Sequence, residues 1–86
     1  MLHVFECHIA AGHNPNEILS EETRKETMAQ VMTIAEAEEV GFSGLPKPTD
    51  GHEVRLVAVN ARDSQWIHRV LEASPSVTSY KVHEVG

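Results

Sequence analysis

Residues Glu53 to Asn60 read EVRLVAVN, and this stretch decides the fold. Its side chains alternate between two sets: Val54, Leu56 and Ala58 on one side, Arg55, Val57 and Val59 on the other. An extended chain sends successive side chains to opposite faces, so the alternation marks a strand. Both sets are largely apolar, which suits a strand in the middle of a sheet, covered on both sides.

Working outward toward the C-terminus, Asp63 can cap a helix that runs to about Ala73. Trp66, Ile67, Val70 and Leu71 form its apolar stripe, while Gln65, His68, Arg69 and Glu72 face out. Ser74-Pro75 stops it, and Val77 to Val85, VTSYKVHEV, alternates again as a closing strand. Toward the N-terminus, the run PTDGH ends in Asp50-Gly51, which favours positive φ angles and a turn. Before it, Gly41 to Lys47 reads as a short edge strand, because Pro46 and Pro48 have no place in a central one. A helix is expected from Ser20 to Gly41: Ser20 caps it, Glu21 and Glu22 suit its positive end, and Met28, Val31, Met32 and Ala35 share one face. A span of about 20 residues gives a rod of roughly 30 Å. The loop AGHNPN separates this helix from Leu2 to Ala10, LHVFECHIA, which alternates as an opening strand.

The order is strand, helix, strand, strand, helix, strand. Two right-handed crossovers joined by a hairpin give an α+β ferredoxin-like plait (βαββαβ), a four-stranded antiparallel sheet with two helices on one face. The first and third strands are expected in the centre, the last beside the first, and the second short or irregular.

The chain has 86 residues, which fits a single domain over 1–86. A domain this small buries only about 60% of its unfolded surface, so oligomerisation would help it. Seven Lys and Arg against thirteen Asp and Glu leave a net charge of −6, which argues against nucleic-acid and anionic-membrane partners. One cysteine excludes an internal disulfide framework, and no apolar run reaches the roughly 18 residues of a membrane helix. With no signal-peptide pattern at the N-terminus, the expected setting is cytoplasmic.

Two helices on one side would leave the other side of the sheet bare. With Val54, Leu56, Ala58, Phe5, Cys7, Ile9, Tyr80 and Val82 assigned to the helices, the open face carries Glu6, His8, Arg55, Lys81 and His83 among Val4, Val57 and Val59. Convergent ionisable groups on an apolar patch describe a ligand site or an oligomer face. For catalysis, proton transfer is the chemistry these residues suit. His8 or His83 would act as base with Glu6 orienting it, and Arg55, Lys81 and Val57 would bind the ligand. A bare face of alternating charges is equally what a solvated surface looks like.

Six histidines invite a metal, but spacing opposes it. His3 and His8 lie on opposite faces, and His3 and Cys7 are roughly 13 Å apart at about 3.3 Å per residue. A metal would need His8 and His83 brought together with Glu6 or His13, and no compact ligand signature supports one, so neither metal nor cofactor is expected. Cys7 sits on the core side as a small hydrophobe.

Known plaits can be tested against these residues. The third strand lacks the aromatics of an RNA-recognition motif, and the loop AGHNPN carries neither the C-x-x-C of a metallochaperone nor the anion loop of an acylphosphatase. Regulatory modules of the ACT type are not excluded. LHVFECHIA together with EVRLVAVNARDSQWIHRVLEASPSVTSYKVHEV resembles the opening strand and the closing strand, helix and strand of the small dimeric α+β-barrel proteins, which include muconolactone-isomerase-like and antibiotic-biosynthesis-monooxygenase-like members. That resemblance implies a homodimer whose packed sheet faces enclose a small organic ligand between walls that include Glu6, His8, Arg55 and His83. The competing expectation is a non-catalytic module whose acidic first helix, with Glu21, Glu22, Glu26, Glu36, Glu38 and Glu39, docks a basic partner protein.

Overall fold

The computed structural model describes residues 2–41 and 53–85. Four strands form one antiparallel sheet: β1 (Leu2–Ile9), β2 (Gln30–Met32), β3 (Glu53–Asn60) and β4 (Val77–Val85), in the spatial order β2-β3-β1-β4. The helices are α1 (Glu21–Thr27), α2 (Ile34–Glu39) and α3 (Ser64–Ala73). The order is that of the ferredoxin-like plait, with β1 and β3 central and β4 beside β1, and the class is α+β. Among the described residues no helix is long and apolar enough to cross a membrane.

The long helix expected from Ser20 to Gly41 is broken in two, and the second strand lies inside it. Ser20 does cap α1, accepting the Thr23 N–H at 3.1 Å. The helix ends where the Thr27 hydroxyl donates back to the Thr23 carbonyl at 2.8 Å and accepts from the Ala29 N–H at 3.2 Å. This side-chain bonding offers the backbone an alternative to continuing the helix. Met28 then turns left-handed at φ 58°. Val31 and Met32 run extended against Val57 and Leu56. Thr33 opens α2 with a capping box: its side chain accepts the Glu36 N–H, and Glu36 Oε1 accepts the Thr33 N–H. Gly41, at φ 99°, follows the end of α2 as the expected left-handed stop. The strand expected at Gly41 to Lys47 and the turn after it lie outside the described residues from Phe42 to His52.

Register settles the faces. In β1 and β3, Phe5 stands opposite Val57 and Cys7 opposite Arg55, while Glu6 stands opposite Leu56 and His8 opposite Val54. Directly opposed residues share a face. Phe5, Cys7, Ile9, Val57 and Val59 therefore form one core with Ile67 and Leu71 of α3 and with Ile18, Leu19 and Ala29, which flank α1. Each large apolar side chain fully buried there contributes about 1.5–3 kcal/mol. Arg55, Val57 and Val59 were expected on the open face; they belong to the α3 face. Both faces of β3 are apolar, so its alternation fixes a strand without fixing which parity faces α3.

The opposite face is not bare. Ala37 of α2, with Ile34 beside it, packs on Val4, Met32, Leu56 and Ala58. Among the described residues the α2 core reaches Val4 of β1 and includes no residue of β4, where Ser79, Lys81 and His83 share this face. Two expectations for α3 also change. Asp63 occupies the cap position without a side-chain cap bond, the helix being led in by a tight turn over Ala61–Asp63. Trp66 is 41% exposed, and the buried stripe is carried by Ile67 and Leu71.

Candidate acid-base site

Glu6 is the centre of the β1–β4 half of the α2-side face. It points away from the α3 core yet is only 3% exposed. A buried carboxylate needs hydrogen-bond donors, and two imidazoles supply them. His8 Nε2 lies 2.9 Å from Glu6 Oε2, and His83 Nε2 lies 3.3 Å from Glu6 Oε1. His8 is two residues along the same strand, hence on the same face. His83 arrives from β4, whose register sets it opposite Val4 and sets Lys81 opposite Glu6. The three residues expected to carry the chemistry, Glu6, His8 and His83, are thus brought together, with exposed Lys81 beside them.

The register also shows that the two rings reach Glu6 from different sides. His83 stands across from Val4 and His8 across from Ser79, so the two histidines flank Glu6 from opposite ends. Four positions at about 3.3 Å each separate their backbones by roughly 13 Å along the strand. Among the described residues no set of three His, Cys, Asp or Glu is arranged to hold a metal.

What the arrangement can do is hold two imidazoles in one tautomer. A carboxylate oxygen accepts, so each Nε2 carries the hydrogen and donates it. In the neutral ring Nδ1 then bears the lone pair, the form required of a general base. The side chains of His8 and His83 are 29% and 33% exposed, against 4% for Glu6, so the rings are reachable and the carboxylate that orients them is not.

Arg55 and Val57, expected to bind the ligand, are on the far face. The Arg55 guanidinium donates at 3.0 Å to Glu53 and at 3.0 Å to the Val54 carbonyl, and Val57 is fully buried. Neither reaches the Glu6 site.

A second polar cluster escaped the sequence reading. The Tyr80 hydroxyl donates to Glu72 at 3.1 Å and lies 3.0 Å from His68 Nδ1. The His68 ring meets Phe5 edge-on, with centroids 5.0 Å apart at 81°. Burial, reinforced by Glu72, holds the Tyr80 hydroxyl above its ordinary pKa. The signal was present as His68 and Glu72 four residues apart on one helix, but both had been assigned to solvent. His3 bonds Ser64 at 2.7 Å and His13 bonds Ser76 at 3.1 Å, tying β1 and its following loop to the C-terminal half. Cys7 is fully buried, and burial, with the nearby Glu6 charge adding, pushes its thiol up to about 12. It is not poised as a nucleophile. Comparison of the chain with protein-family models and with curated proteins gives no match.

Proposed function

We propose that the β1–β4 half of the α2-side face binds a small organic molecule and moves a proton on it, in the manner of an isomerase. The observation that carries this reading is the single buried carboxylate of Glu6 accepting hydrogen bonds from both His8 and His83. One imidazole takes a proton from a carbon acid at Nδ1 and becomes imidazolium, held by Glu6. The other, in its protonated form, delivers a proton to a second carbon of the same substrate. Proton count is conserved over the pair, and Glu6 balances one imidazolium at a time. Lys81, opposite Glu6 on the neighbouring strand, would hold a polar or anionic end of the ligand. The setting we propose is cytoplasmic, in keeping with a single free cysteine.

The partner-protein reading loses its main support. Glu21 and Glu22 begin α1, whereas Glu36, Glu38 and Glu39 lie on α2. The residues flanking α1 pack into the α3-side core and α2 packs on the other face, so the acidic run does not form one surface.

Solvent-deuterium incorporation into a panel of small unsaturated lactones and keto acids, followed by NMR, tests the proposal. Wild-type protein is expected to bind and exchange at least one, and His8→Gln or His83→Gln to slow exchange by about 10²–10⁴-fold with the fold retained. Exchange by either variant at the wild-type rate, or no exchange by the wild type, overturns it.

A further inference from the structure

We propose that a second copy of this chain pairs antiparallel along the outer edge of β4, with Val82 facing Val82 across the twofold axis. The second copy's Lys81 then comes beside His83. This rests on the strand edge and is independent of the reaction assigned to Glu6, His8 and His83.

Among the described residues β4 is the longest strand, nine residues, and it lies at the end of the sheet. Among the described residues it pairs only with β1, leaving its outer N–H and C=O groups without a strand partner. Such an edge is a template for another strand unless Pro, bulges or clustered charges block it. VTSYKVHEV contains no proline and only two formally charged residues, Lys81 and Glu84, and its one register shift against β1 falls at the N-terminal end, between Val77 and Ser79, leaving Ser79 to Val85 regularly paired. Val82 is apolar yet 36% exposed.

A second copy could also have covered the α2-side face, as the dimeric-barrel resemblance implies. However, α2 already stands over part of that face, whereas the β4 edge is unpaired among the described residues.

Charge selects the register. With the twofold axis perpendicular to the sheet, both copies keep the same face up, so only residues of like parity face each other. Centring on Lys81 sets two ammonium groups directly opposite, which is destabilising. Centring on Val82 joins the exposed valines, sets Tyr80 across from Glu84, and sets Lys81 across from His83. Each Glu6–His83 pair then gains a cation from the other copy.

Sedimentation and disulfide trapping test this. The wild type is expected to be a dimer, and Val82→Lys to weaken it about tenfold or more while leaving circular dichroism unchanged. Opposed residues in an antiparallel pair lie about 4.5–5.5 Å apart, within reach of a disulfide. Val82→Cys should therefore cross-link two chains under mild oxidation, and Lys81→Cys should not. A wild-type monomer at millimolar concentration, a Val82→Lys variant that dimerises as tightly as wild type, or cross-linking through Lys81→Cys in place of Val82→Cys overturns the proposal.

Discussion

The two faces of the β1–β4 pair carry similar chemistry put to different ends. On the α3 side, His68, Tyr80 and Glu72 form a chain of hydrogen bonds fastening the helix to β4, with Phe5 packed beneath. On the α2 side, His8, Glu6 and His83 form a chain of the same length, but among the described residues no helix core extends over β4. Where a helix lies across a strand, polar groups are consumed as fasteners. Where the α2 core stops short, the carboxylate still needs donors, yet the rings that satisfy it stay about a third exposed. The α3 side is therefore expected to hold stability and the α2 side to hold reactivity.

Phe5→Ala gives the largest expected effect. It removes a fully buried ring that touches both His68 and Tyr80, and it should lower unfolding free energy by about 3–5 kcal/mol, read from urea denaturation. A larger loss from Leu56→Ala, on the α2 side, would reverse the assignment of stability to the α3 face.

Alkaline pH probes the same core from within. The Cys7 thiol titrates near 9 in the unfolded chain and about 12 in the folded one. Its contribution is fully present below pH 9, where both states hold the proton, and it is lost as pH rises toward 12, because only the unfolded chain releases the proton in that interval. The decline approaches ~1.4 kcal/mol per pH unit, and Tyr80, also raised, adds in the same direction. Urea midpoints between pH 8 and 11 should fall less steeply for Cys7→Ala than for wild type. Parallel declines would show that the thiol is not the group responsible.

Tyr80→Phe is a smaller change. It removes the hydroxyl between His68 and Glu72 and should cost about 1 kcal/mol. Because the fasteners lie on the α3 side, the NMR signals of His8 and His83 should stay in place. Movement of those signals would mean that the two faces are coupled through β4.

The alternation in LHVFECHI and VTSYKVHEV was enough to put Glu6, His8, Lys81 and His83 on one face, because Phe5, Cys7 and Ile9 take the core side of the first strand and Tyr80 and Val82 that of the last. The same logic failed on EVRLVAVN, where Arg55 is the only polar side chain between the polar ends Glu53 and Asn60. Either set is apolar enough to face a core, and only the register against β1 decides. The Ser20–Gly41 helix failed for a related reason. Met28, Val31, Met32 and Ala35 fit a helical period, but the period ignores Thr27 and Thr33, which bond to the backbone and set a stop and a start. The capping pair Thr33 and Glu36 was readable in the sequence as the start of a separate helix.

That stop also supplies the smallest expected effect. Met28 holds a left-handed backbone at φ 58°, which an L side chain adopts at a cost of about 1–2 kcal/mol, and its side chain is 78% exposed and so contributes little packing. Met28→Gly removes that cost while adding freedom to the unfolded chain, for a net gain of about 0.5–1 kcal/mol and a Tm rise of a few degrees. Because the residue lies between α1 and β2, away from β4, the gain should come with no change at His8 or His83. A fall in Tm would show that the Met28 side chain packs more than its exposure implies, and that the break between α1 and β2 is held by contacts as well as by the threonines.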